Sequence, residues 1–141
     1  MFKKIFILCM TLMFLLCIFG LASVAGQEMD HESVISLRWT LIHRVSNGLS
    51  IDSNGQASMT SFISAYSGVE RVRITAHLQR QENDTWVTVK NWSQDYEGTS
   101  ALWTKTWYVN KGYNYRLMTF FYAYAGDDQE STFLISGSQY Y

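Results

Sequence analysis

The sequence predicts an all-β fold, a sandwich of about seven antiparallel strands behind an N-terminal signal helix. Three observations predict it. Turn signals recur about every 12 to 15 residues, at Asn47-Gly48, Asn54-Gly55, Ser67-Gly68, Glu82-Asn83-Asp84, Glu97-Gly98, Lys111-Gly112 and Gly126-Asp127-Asp128, a spacing nearer that of a sandwich than of βαβ units. Between the turns the residues are β-branched or aromatic and carry no helical period. Finally, Val72, Ile74, Ala76 and Leu78 fall on one parity, opposite Arg71, Arg73, Thr75, His77 and Gln79, as in a sheet with one buried and one wet face.

The chain opens on an address. Lys3 and Lys4 precede a nearly unbroken apolar run over residues 5–21, followed by Ala22-Ser23-Val24-Ala25-Gly26. A short basic start, an apolar helix and a small-x-small exit describe a secretory signal peptide, with cleavage between Ala25 and Gly26. The alternative is an uncleaved membrane anchor, because the run reaches the lower edge of the about 17 to 25 apolar residues that span a bilayer. Lipoprotein processing needs a small residue before a cysteine, whereas Leu8 precedes Cys9 and Leu16 precedes Cys17.

Residues 26–43 read as a polar leader, acidic through Glu28, Asp30 and Glu32, in which residues 35–43 are a candidate additional strand. Residues 44–141 read as the sandwich domain. Residues 86–92 follow the strand over 72–78 across a short loop and pair with it as a hairpin. Residues 113–125 are apolar on both parities and read as a central strand. Proline is absent, so charges rather than proline must blunt the sheet edges.

Composition excludes several functions. Beyond residue 25 stand nine Lys and Arg against twelve Asp and Glu, a net charge of −3, with no cysteine. That balance offers no general grip on nucleic acid or, once the signal is removed, on a membrane. Disulfides, thiol nucleophiles and cysteine metal sites are absent with the cysteines. His31, His43 and His77 have no second ligand at metal spacing, and zinc needs three or four converging donors. Asp127-Asp128-Gln129-Glu130 lacks the spaced acids of a calcium loop. The chain has no Gly-x-Ser-x-Gly and no phosphate loop, so neither metal nor cofactor is expected. Glu70 and Glu130 are the acids that could pair for a small secreted hydrolase, the third class of function considered.

The stretch Val109-Asn110-Lys111-Gly112-Tyr113-Asn114-Tyr115-Arg116-Leu117 resembles the E to F corner of fibronectin type III domains, without the usual proline before the glycine. The resemblance implies that Tyr115 is a corner tyrosine, its ring buried and its hydroxyl bonded back to the loop, with Gly112 in the turn. From about residue 44 to residue 137 the chain also resembles small, secreted, uncharacterised β-sandwich proteins of Gram-positive bacteria. That likeness rests on Leu78-Gln79-Arg80, Trp86-Val87-Thr88-Val89-Lys90-Asn91-Trp92 and the stretch just quoted. It implies export and an immunoglobulin/fibronectin type III-like β-sandwich, and brings no catalytic residue. In a bacterium the sequons Asn83-Asp84-Thr85 and Asn91-Trp92-Ser93 are chance.

Aromatic residues supply the candidate site. Trp103, Lys105 and Trp107 share one parity, as do Trp86, Thr88, Lys90 and Trp92. Two indoles four residues apart on a strand stand about 13 Å apart, which suits an extended glycan or cell-wall polymer with Lys105 between them. The competing reading buries the indoles between the sheets and lets the lysine escape at an edge. The expected function is that of an exported, non-enzymatic extracellular or cell-envelope protein, a protein-interaction module or a glycan binder.

Overall fold

The computed structural model describes residues 39–141. The signal segment with Ala25 and Gly26, and the leader through residue 38, lie outside the described residues. The described chain is all-β. Its strands are β1 (Ile42–Ile51), β2 (Gln56–Ala65), β3 (Arg71–Glu82), β4 (Thr85–Glu97), β5 (Ser100–Tyr108), β6 (Asn114–Ala125), β7 (Asp128–Ile135) and the two-residue β8 (Gln139–Tyr140). All pairings are antiparallel and build two sheets, β1-β2-β5 and β4-β3-β6-β7, with β8 added to β6 beside β7.

The sheets share one core, an arrangement that fits a β-sandwich. Val72, Ile74, Ala76 and Leu78 of β3 are each 0% exposed, the full parity that the alternation marks as apolar. Leu117, Phe121 and Ala123 of β6 continue that layer, and Met59, Ile63 and Trp103 of the other sheet close it. Ser61 and Thr119 are fully buried at its centre and share a hydrogen bond of 3.0 Å across the two sheets. That bond offsets the cost of burying two hydroxyls in apolar surroundings.

Turn chemistry sets the registers. β3 and β4 are joined by Asn83 and Asp84 alone, with φ of 47° and 63°, the positive pair that a two-residue I′ hairpin requires. At the same end of the molecule the aromatic ring of Tyr141 covers Gly55 (φ +82°), and the backbone of Tyr141 pairs with Tyr113.

Two expectations shift. Asn47-Gly48 is not a turn but lies inside β1, paired with Ser61 and Thr60. Its amide ties the strand to the other sheet: Asn47 Nδ2 donates to the carbonyls of Leu117 (3.2 Å) and Leu134 (3.1 Å). The folded unit also begins before residue 44. β1 starts at Ile42, which is 0% exposed, and Trp39 and Leu41 pack on the core. Glu130 of β7 fixes this entry: its carboxylate accepts the backbone N–H groups of Thr40 (2.8 Å), Leu41 (2.8 Å) and Ile42 (2.6 Å).

Candidate functional site

A β-bulge decides where the tryptophans go. Leu78 pairs with Lys90 but Gln79 pairs with Thr88, so Val89 is an extra residue on β4. One extra residue reverses which face the following side chains meet. Trp92, opposite Ala76, therefore faces the core, whereas Trp86, opposite Gln81, stands on the outer face. The shared parity of Trp86 and Trp92 does not survive: the guanidinium of Arg116 covers the Trp86 ring at 4.2 Å on the outside.

On the inside, Trp92 meets Trp103 at 5.7 Å and Trp107 at 6.1 Å between ring centroids. These rings close the flank where β4 and β5, each the edge of its sheet, lie against one another. Trp103 is 2% exposed and Trp107 43%. Trp103 and Trp107 thus do not form one platform. Lys105 is exposed between them, and the ammonium that meets an indole is that of Lys90, 4.8 Å over Trp107. Of the five aromatic-face candidates the structure brings together Trp92, Trp103 and Trp107, and leaves Trp86 and Lys105 apart.

At the β5–β6 connection Tyr115 is 1% exposed. Its hydroxyl donates to the carbonyl of Asn110 at 2.9 Å and accepts the Asn110 N–H at 3.2 Å. Gly112 has φ +91°, and its N–H donates to the Tyr141 carbonyl. A cleft of about 70 Å³ beside this corner is lined by Arg80, Val89, Trp107, Tyr108, Val109, Asn110 and Tyr115. An open depression of about 340 Å³ over β2 and β5 is lined by Ser58, Met59, Thr60, Thr104, Lys105 and Thr106. Neither lining holds a carboxylate or an imidazole to act as general acid or base. Among the described residues no three His, Cys, Asp or Glu side chains are grouped for a metal. Glu130 is committed to backbone donors. Burial pushes its carboxyl up, but the N–H groups of Ile42, Thr40 and Leu41 outweigh that and hold it below its ordinary value.

The surface that sequence reasoning missed is the outer face of the β4-β3-β6-β7 sheet. Register sets Thr75, Phe120 and Phe133 side by side across β3, β6 and β7, and in the next row His77, Met118 and Ile135. Phe133 is 53% exposed and Ile135 44%. Phe120 sits between its neighbours, 5.9 Å from Phe133 and edge-on to His77 at 5.6 Å. Polar groups frame this apolar centre on both sides along the strands. On one side, Asp95 holds Arg73 through two hydrogen bonds of 2.9 and 3.0 Å, and Arg71 at 2.5 Å. The bond from Arg73, joined by that from Arg71, keeps the Asp95 carboxyl below the usual range. Arg71 in turn lies 3.9 Å over Tyr124, which stacks on Tyr122. On the other side Arg116 donates to Gln79 at 2.8 Å. The signal was present in the sequence: residues 113–125 are apolar on both parities, and a strand with one parity in the core must show the other outside.

No protein-family model matches the chain, and no curated protein matches it either.

Proposed function

We propose that the chain is an exported, non-enzymatic protein-interaction module, an immunoglobulin/fibronectin type III-like sandwich whose working surface is the outer face of β4-β3-β6-β7. One observation carries this reading. Phe133 and Ile135, both large and apolar, are about half exposed beside Met118 and Phe120, inside a frame of Arg, Tyr and amide side chains. An apolar aromatic centre with a polar rim rich in Arg and Tyr is the composition of protein interfaces. The fibronectin-like assignment is supported by the strand orders β1-β2-β5 and β4-β3-β6-β7 and by the Tyr115 hydroxyl bond at the corner. Export rests on the basic, apolar and small-residue segments of residues 1–25, and N-terminal sequencing of secreted protein should begin at Gly26. A photo-crosslinking residue at position 133 of the exported protein tests the surface. It should give protein adducts that the same residue at Thr104, on the opposite sheet, does not. Equal adducts at both positions, or none at 133, would remove the assignment.

A second reading, glycan or cell-wall polymer binding, is favoured by Trp107, 43% exposed beside Lys90, and by Tyr108, 68% exposed. It requires retention on wall polysaccharide that a soluble sugar reverses and that Trp107→Ala abolishes.

A further inference from the structure

Taking the outer face of the β4-β3-β6-β7 sheet as the interaction surface, we infer that it fits a second copy of this chain, packed face to face about a two-fold axis. The inference rests on the reading just given and names the partner.

Size comes first. Four strands about 4.8 Å apart, read over ten residue steps of about 3.3 Å, present a face of about 600 Å². Covering it on both copies buries roughly 1,200 Å², the lower end of the range for stable specific interfaces.

Self-complementarity comes second, and the register supplies it. Rows of outward side chains run across the sheet, from Arg71 and Tyr124 at one end to Trp86 and Gln81 at the other. A two-fold axis lying across the strands, between the row of Phe120 and the row of Met118, turns each row onto its mirror position in the other copy. Phe120 then opposes Met118 of the other copy, and Phe133 opposes Ile135, so the apolar centre closes on itself. Tyr122 opposes Arg116, which repeats between copies the cation–aromatic pairing that Arg71 and Tyr124 make within one. Arg73 and Arg71 fall over the amide side chains Gln79 and Gln81. Nowhere does this operation set like charges directly opposite, the arrangement that costs most at an interface. Isologous contact of this kind is the commonest symmetry of soluble oligomers. Neither Trp107 nor Lys105 takes part.

Sedimentation equilibrium of residues 26–141 tests the inference, run to about 100 μM, well above the micromolar limit typical of weak interfaces of this size. The wild-type chain should be a dimer, and Phe133→Asp and Ile135→Lys should each weaken association about thirtyfold or more, the scale of a central interface side chain. Both positions are half exposed, so unfolding midpoints measured at a dilution where the wild type is monomeric should stay in place, and Trp107→Ala should leave the dimer intact. A wild-type monomer throughout overturns the second copy, and adducts from position 133 to a different protein would then leave the interaction surface standing. A dimer indifferent to both substitutions places self-association elsewhere and overturns the inference as well.

Discussion

Replacing Tyr115 by phenylalanine leaves the buried ring and removes the hydroxyl that joins it to both backbone groups of Asn110. The expected cost is about 1 to 2 kcal/mol in urea unfolding, the loss of a hydrogen bond with a buried partner stranded. Trp103 and Trp107 separate more widely. Trp103→Ala opens a cavity beneath Trp92 and should cost about 3 to 5 kcal/mol. Trp107→Ala, from a ring already 43% exposed, should cost about 1 to 2 kcal/mol. Equal losses would contradict the split along β5. Glu130 adds a pH signature. Its folded value lies below the ordinary one, so its contribution is complete above the unfolded pKa, about 4.3, and fades as pH falls through the folded value. Glu130→Gln should therefore lower the unfolding free energy at pH 7 by about 1 kcal/mol, given the solvent exposure of the pair, and make little difference once the wild-type carboxyl is itself protonated.

At the level of the strands, period-two patterning was legible and its interruptions were not. The alternation in β3 marks its buried face residue by residue, and Glu82-Asn83-Asp84 marks the hairpin that follows. The bulge at Val89 left no such mark. β4 is an edge strand with half-exposed residues on both faces, so its pattern does not change when the parity does, and Trp86 and Trp92 read as neighbours. Asn47-Gly48 failed for a related reason. The dipeptide favours a turn in isolation, but here pairing with β2 and side-chain bonds to the carbonyls of Leu117 and Leu134, all distant in sequence, accompany an extended Asn47. The outer face of β6 was written in the sequence as doubled apolar parity, yet buried depth and a sticky exterior give the same letters. A test at this scale uses the hairpin. Asp84 holds φ 63°, a conformation glycine adopts without steric cost, so Asp84→Gly should raise stability by about 0.5 to 1 kcal/mol in urea unfolding. A drop would contradict the I′ geometry.

For the whole molecule, the two sheets divide the work. The β1-β2-β5 sheet and the inward parity of the other build a dry centre with Ser61 and Thr119 paired inside it. Among the described residues no buried side-chain polar atom lacks a partner. What remains unusual lies outside, in large apolar side chains half open to water on one broad sheet face, with a single indole ledge on the opposite flank as its rival. We read this exposed apolar surface as a contact site for another molecule. Hydroxyl-radical footprinting of the protein in its native setting, compared with the purified protein at high dilution, tests that claim most directly. The account predicts that oxidation of Met118, Phe120 and Phe133 is suppressed in the native setting while Trp107 and Tyr108 react as in dilute solution. Suppression at Trp107 and Tyr108 with an unprotected Phe133 would contradict it.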